Sequence, residues 1–123
     1  FRKLHAEACA RATPEQARKF AVTERAKLVE FLNKSDILFL DAQYTDEEYQ
    51  QHIGWGHGSL TTSVDLAVDA NVGQLLLFHH DPNHDDDMID KMVDRARELV
   101  RERRSKMKVD AAREGSEFSL NGR

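Results

Sequence analysis

Cysteine is nearly missing from this chain of 123 residues, in which Cys9 is the one thiol. A disulfide framework within the chain is thereby excluded, as is a cysteine-rich zinc site, and a reducing compartment suits the protein. No apolar run approaches the roughly 20 residues that a membrane-spanning helix needs. The first twenty residues carry Arg2, Lys3, Arg11, Arg18 and Lys19 with no apolar stretch between them, unlike a signal peptide. An excess of positive charge is missing too. Lys and Arg number 18 against 22 Asp and Glu, a formal net charge of −4, whereas a nucleic-acid coat is usually basic. These absences predict a cytoplasmic protein with no membrane partner and with nucleic acid not a favoured one. The chain contains no phosphate-binding Gly-rich loop, nucleophilic Ser motif or His-Glu-x-x-His helix. It opens on Phe1 rather than Met, and the expectation drawn from this is a piece of a longer domain.

What is present is an alternation of helical and strand patterns. Thr13-Pro14-Glu15-Gln16 is a helix start, with Thr13 capping, Pro14 at the first helical position and Gln16 reaching back. Ala17, Phe20, Ala21, Leu28, Phe31 and Leu32 follow at mostly helical spacing, which predicts an amphipathic helix over 14–34. Ile37-Leu38-Phe39-Leu40 is a wholly apolar run ending in Asp41, the pattern of a strand buried on both faces. A second capping box, Thr45-Asp46-Glu47-Glu48, opens a short helix. The three glycines of Gly54-Trp55-Gly56-His57-Gly58 exclude regular structure there. Ser59 caps a third helix, with Leu60, Val64, Ala67 and Val68 inward and a stop near Asn71-Val72-Gly73. Leu75-Leu76-Leu77-Phe78 repeats the apolar strand and runs into His79-His80-Asp81-Pro82. A last helix is predicted from Asp85 to about Lys108, its aspartates first and its arginines last, the order that complements the helix dipole. Glu117-Phe118-Ser119-Leu120 is assigned a closing strand. The fold class is α/β, with helices on both faces of a sheet too small to stand without an open apolar edge.

Both apolar strands end in polar clusters, Asp41 after the first and His79-His80-Asp81 after the second. In α/β sheets ligand sites gather outside the carboxyl ends of strands. Parallel neighbours joined by a helical crossover would bring Asp41 and His79 to one edge, and His57, on the Gly-rich loop between them, could reach it. A carboxylate with imidazoles suits zinc, manganese or iron. Each residue also has a structural alternative. Asp41 could cap the turn after its strand, His79 could be a hydrogen-bonded histidine at the core edge, and His57 could be an ordinary loop residue. Trp55 is open between a hydrophobic plug and a stacking surface, and Tyr44 and Tyr49 are expected to pack.

Three ordered motifs carry a resemblance: Leu38-Phe39-Leu40-Asp41-Ala42-Gln43-Tyr44-Thr45, Gly54-Trp55-Gly56-His57-Gly58-Ser59, and Leu75-Leu76-Leu77-Phe78-His79-His80-Asp81-Pro82. Together they resemble the C-terminal half of metallo-β-lactamase-fold hydrolases, in the branch of ribonuclease Z-like and cyclic-nucleotide phosphodiesterase-like enzymes. The resemblance implies half of an αββα sandwich, helices packed on a small mixed sheet, over residues 1–123. Residues 13–34 would be a helix leading in and 36–120 the motif-bearing core. It implies two divalent metal ions, zinc by default and manganese or iron as alternatives, with a bridging hydroxide as nucleophile. Asp41 matches the metal-bridging aspartate, His79 the last histidine ligand, and His57 the histidine that protonates the leaving group.

The family's N-terminal His-x-His-x-Asp-His motif does not occur in these residues. The resemblance therefore implies that the N-terminal half of the domain, as a separate chain or as a missing segment, completes the site. Where ribonuclease Z places Phe-Ser and an Arg after the final histidine, this chain has His80-Asp81-Pro82. That departure favours a small phosphodiester substrate over tRNA. His80, Asp81 and Trp55 are left as residues behind the ligands or against substrate. Two alternatives remain: a lactonase or other esterase on the same fold, and an inactive structural or interaction fragment. A homodimer is also left open.

Overall fold

The computed structural model describes residues 12–120. The chain divides into two compact units, the first ending at Phe31 and the second beginning at Leu32. The first contains most of α1 (Pro14–Leu32). Its predicted start is present in full: Gln16 N–H donates to Thr13 Oγ1 at 3.1 Å, and Thr13 N–H donates to Gln16 Oε1 at 3.0 Å. The apolar stripe expected to bury is instead open. No residue of α1 is buried, and Phe20, Leu28 and Phe31 are exposed.

The second unit runs β1 (Ile37–Asp41), α2 (Asp46–Tyr49), α3 (Leu60–Asp69), β2 (Gln74–Phe78), α4 (Asp86–Glu102) and β3 (Lys108–Ala111). Its three strands lie in the order β1-β2-β3, and both pairings are parallel. The sheet expected to be mixed is therefore parallel across its described strands. Parallel pairing requires a crossover, which α2 with α3 supply between β1 and β2, and α4 between β2 and β3. Helix α3 packs on α4 and touches β1, while α4 packs on β3. The two helices thus share one face of the sheet, where the sequence suggested helices on both.

The central strand behaves as its apolar run predicts, with Leu75, Leu76 and Leu77 fully buried. The edge strand β1 does not, because its run has a neighbour on one side only. Phe39 is 50% exposed, and its one aromatic partner among the described residues is Phe118, edge-on at 6.0 Å. That contact is what the 117–120 segment contributes. No strand forms there, and the third strand comes earlier, starting where the predicted last helix was to end and running just beyond it.

Helix α4 ends at Glu102, short of Lys108. Arg104 takes a positive φ of 52°, the left-handed turn that commonly ends helices, and Ser105 N–H donates to the Val100 carbonyl at 3.1 Å. Beyond it Met107, Val109 and Ala111 are buried in alternation, a period of two that only a strand satisfies. The basic run still serves as a solvated face, but it also ties elements together. Arg103 reaches Asp65 at 3.0 Å, joining the end of α4 to α3, and Arg97 Nε donates to the Val109 carbonyl at 3.0 Å.

Because Leu76 sits fully buried in the middle strand, Leu76→Ala is expected to lower unfolding stability by about 2–5 kcal/mol. Urea denaturation checks this, and a loss under about 1 kcal/mol would contradict the packing described.

Candidate metal centre

Parallel register decides which side chains meet. Asp41 is the last residue of β1 and pairs with Phe78, the last of β2. Ala42 N–H extends the ladder by one bond, donating to the Phe78 carbonyl at 3.1 Å. His79, the next residue after β2, is thereby held beside Asp41. It takes a positive φ of 59°, which is uncommon for a side chain other than glycine.

His57 arrives by a different route. Gly54 and Gly56 adopt φ of +88° and +89°, a backbone that suits glycine, and turn the loop back toward the sheet. Gly58 then lies close against β1, where a Cβ would stand 3.3 Å from Ser63 Oγ and 3.5 Å from the Asp41 carbonyl oxygen. Ser63 Oγ donates to that same carbonyl at 3.0 Å, and Leu60 N–H donates to the Tyr44 carbonyl at 3.2 Å. The start of α3 is thus stitched to the segment following β1, with His57 immediately before the seam.

The result is a three-residue cluster. His57 Nδ1 lies 2.9 Å and His79 Nδ1 2.7 Å from the same oxygen, Asp41 Oδ2. The two imidazole rings are 4.9 Å apart. The second carboxylate oxygen accepts from Gln43 N–H at 3.2 Å. Burial by itself pushes the Asp41 carboxyl up, but the hydrogen bonds from His57, His79 and the Gln43 amide outweigh it and hold the group below the usual carboxylate range. Asp41 and His57 are about three-quarters buried, with 26% and 24% of the side chain exposed, whereas His79 is 54% exposed. The cluster is open to one side.

One carboxylate oxygen and two imidazole nitrogens form an N/O donor set of the kind that binds zinc and other first-row metals. The ligand atoms all lie within 4.8 Å of one another, so Asp41, His57 and His79 could hold one metal ion. Bonds of about 2.1 Å to a tetrahedral ion place its ligands about 3.4 Å apart. The present hydrogen-bond separations would widen by well under an ångström, with protons giving way to the cation.

The other residues singled out from sequence stand apart from this cluster. Asp81 builds the loop after β2: Asn83 N–H donates to its Oδ1 at 2.8 Å, and that bond chiefly keeps its carboxyl low. His80 is half-buried, and both its ring nitrogens are shut off from solvent. Burial pushes its pKa down, with His84 nearby adding to the effect. Trp55 is 66% exposed on the Gly-rich loop.

One pair escaped the sequence reading. His84 Nε2 lies 2.9 Å from Glu48 Oε1, and the His84 side chain is only 5% exposed. Glu48 also completes the predicted capping box, its Oε2 accepting from Thr45 N–H at 3.0 Å. The two residues are 36 apart in the chain, and no local pattern joins them.

Neither a protein-family model nor a curated protein matches the chain. A solved structure does. Over 73% of its length the chain superposes, with a TM-score of 0.57 and 21% identity, on the metallo-beta-lactamase fold protein YhfI from Bacillus subtilis. It covers 33% of that protein, so the chain spans about a third of the length of the structure it resembles. The likeness shows the fold: one helix layer on a parallel sheet, as a part of the metallo-β-lactamase arrangement.

The Glu48–His84 pair gives a pH prediction. Burial raises the Glu48 carboxyl, but the His84 hydrogen bond and the Thr45 amide together bring it below its ordinary 4.5. A carboxyl lowered on folding stabilises the native state above its unfolded value, and that stability is lost as pH falls through the lower folded value. Glu48→Gln should therefore cost most near neutrality and progressively less from about pH 5 to about pH 3. Chemical denaturation of both forms across that range checks it; a pH-independent difference would refute it.

Proposed function

We propose that the chain is the C-terminal part of a dinuclear, metal-dependent phosphodiesterase. The observation that carries this reading is the convergence of Asp41, His57 and His79 on one carboxylate oxygen at the strand ends of a metallo-β-lactamase-like fold. Asp41 and His79 are the proposed metal ligands and His57 the proposed proton donor. Divalent ions held here, zinc by default, would supply a Lewis acid and an acidified water. The chain's own residues do the rest. Asp41 would hold the ions together with His79, and the Gln43 amide, bonded to Oδ1, fixes the rotation of the carboxylate. Through Nδ1 His57 keeps its orientation on Asp41, which leaves Nε2 to carry a proton to the leaving oxygen.

Three ligand atoms do not complete a two-ion site, so the remaining ligands are proposed to come from an N-terminal half of the same domain. The exposure of Phe39 and Phe78 supports this, since a sandwich would cover them. Among the described residues no helix is long and apolar enough to cross a membrane. With a single cysteine in the chain, we place the protein in the cytoplasm.

In the completed protein, Asp41→Ala should abolish both bound metal and turnover of a chromogenic phosphodiester. His57→Ala should keep most of the metal, measured by mass spectrometry, while lowering kcat by about 10²–10⁴-fold. Metal lost in parallel with rate would instead make His57 a ligand. The 123-residue chain alone should bind fewer than two ions and show no hydrolysis; robust turnover by it would sink the claim that half the site lies elsewhere. Lactone hydrolysis outpacing phosphodiester hydrolysis would favour the carbonyl-ester reading.

A further inference from the structure

The loop that delivers His57 also presents the chain's one tryptophan. Trp55 is flanked by the two positive-φ glycines, Gly54 and Gly56, and around each of them a Cβ would meet nothing within 4 Å. The loop there is unobstructed, and its conformation serves to project the residue between. Trp55 is two-thirds exposed, as is the adjacent Ile53. A large aromatic left in water is costly unless something covers it in the working state.

Exposed as it is, the indole is not left to swing freely. The His52 ring meets it at 4.5 Å with an interplanar angle of 87°. His52 is itself fixed twice: its Nδ1 lies 2.8 Å from the Glu48 carbonyl oxygen, and its ring stacks on buried Tyr44 at 4.3 Å. Tyr44 in turn meets His57 in a T-shaped contact at 5.8 Å. A continuous run of rings therefore leads from the Asp41 cluster to Trp55. The indole is held by His52 and yet remains 66% exposed, within two residues of the proton donor.

We propose that Trp55 is a stacking platform for a planar aromatic group on the substrate, a nucleobase or an aryl ester, whose phosphate lies at the Asp41–His57–His79 cluster. This rests on the phosphodiesterase reading above and narrows its substrate class. A stacked ring is sequence-tolerant and adds affinity without taking part in the chemistry. Trp55 is accordingly a specificity residue, acting on KM rather than kcat.

Trp55 is the only tryptophan of these 123 residues, so the emission that is lost in Trp55→Phe reports the platform. The completed, metal-loaded protein should show saturable quenching by adenosine monophosphate and little by ribose 5-phosphate. By calorimetry, Trp55→Ala should weaken adenosine monophosphate binding about tenfold and leave ribose 5-phosphate binding unchanged. Trp55→Phe should restore most of it, and both variants should keep the wild-type unfolding midpoint. With substrates, Trp55→Ala should raise KM for an aryl diester and not for a dialkyl one. Equal quenching by both ligands, or a Trp55 emission already buried and unresponsive because another chain segment or a second copy covers it, would overturn the proposal. Quenching by adenosine monophosphate with no diester hydrolysis would overturn the reading of function and leave the platform standing. Hydrolysis with unchanged KM in Trp55→Ala would do the reverse.

Discussion

The parallel, in-register pairing of β1 with β2 is the constraint on which the rest depends. Two strands that start together and have equal length also finish together, so Asp41 and Phe78 stand opposite each other. The residue after the second strand then has little choice of neighbour. A slip of one position would turn the carboxylate to the other face of the sheet and take His79 away from it. The register is held by the burial of Leu75, Leu76 and Leu77, which any shift would disturb. Packing energy at the centre of the sheet thus fixes polar geometry at its edge.

That geometry gathers hydrogen-bond donors around one carboxylate. Asp41 accepts from two imidazoles and one amide, and together these outweigh the cost of its partial burial and keep it ionised. An anion so surrounded is a poor place for a neutral ligand and a good one for a cation that replaces the two protons. The surroundings are built to hold it still. Ser63 bonds the Asp41 carbonyl, Gly58 allows the loop to lie against the strand, and Glu48 with His84 pins α2 to the loop after β2.

Much of this was legible in the sequence because it is local. Thr13 with Gln16, Thr45 with Glu48, Ser59 and Asp85 all cap as their spacing says, since capping needs only residues three apart. The strand-end rule likewise pointed to Asp41, His57 and His79 before any coordinates. Illegible were features set by what stands beside an element rather than within it. The apolar run of β1 does not reveal that it forms an edge, and the basic residues from Arg101 to Lys108 hide the turn at Arg104 that ends one helix and starts a strand. Alternation at Met107, Val109 and Ala111 was the available signal, overridden by the charge pattern. Segment 117–120 has strand-like composition, but Phe118 is spent on the ring of Phe39. Glu48 and His84 meet only because the fold brings two loops together.

Strand parity gives the open sheet face a bearing on the metal centre. Side chains alternate along a strand, so Phe39 and Asp41, two apart, point to the same side, and Phe78 shares that side through its pairing with Asp41. Helices α3 and α4 cover the opposite side, where Val109 and Ala111 are buried. The exposed phenylalanines and the carboxylate are therefore presented together. On the proposed reading, a layer that buries Phe39 and Phe78 would lie beside Asp41 as well. Burial of the apolar face and delivery of further ligands would then be one event, and metal affinity would be coupled to the docking of that layer. On the proposed reading, this is why a chain that covers a third of the structure it resembles carries an ordered carboxylate and two histidines rather than a finished site.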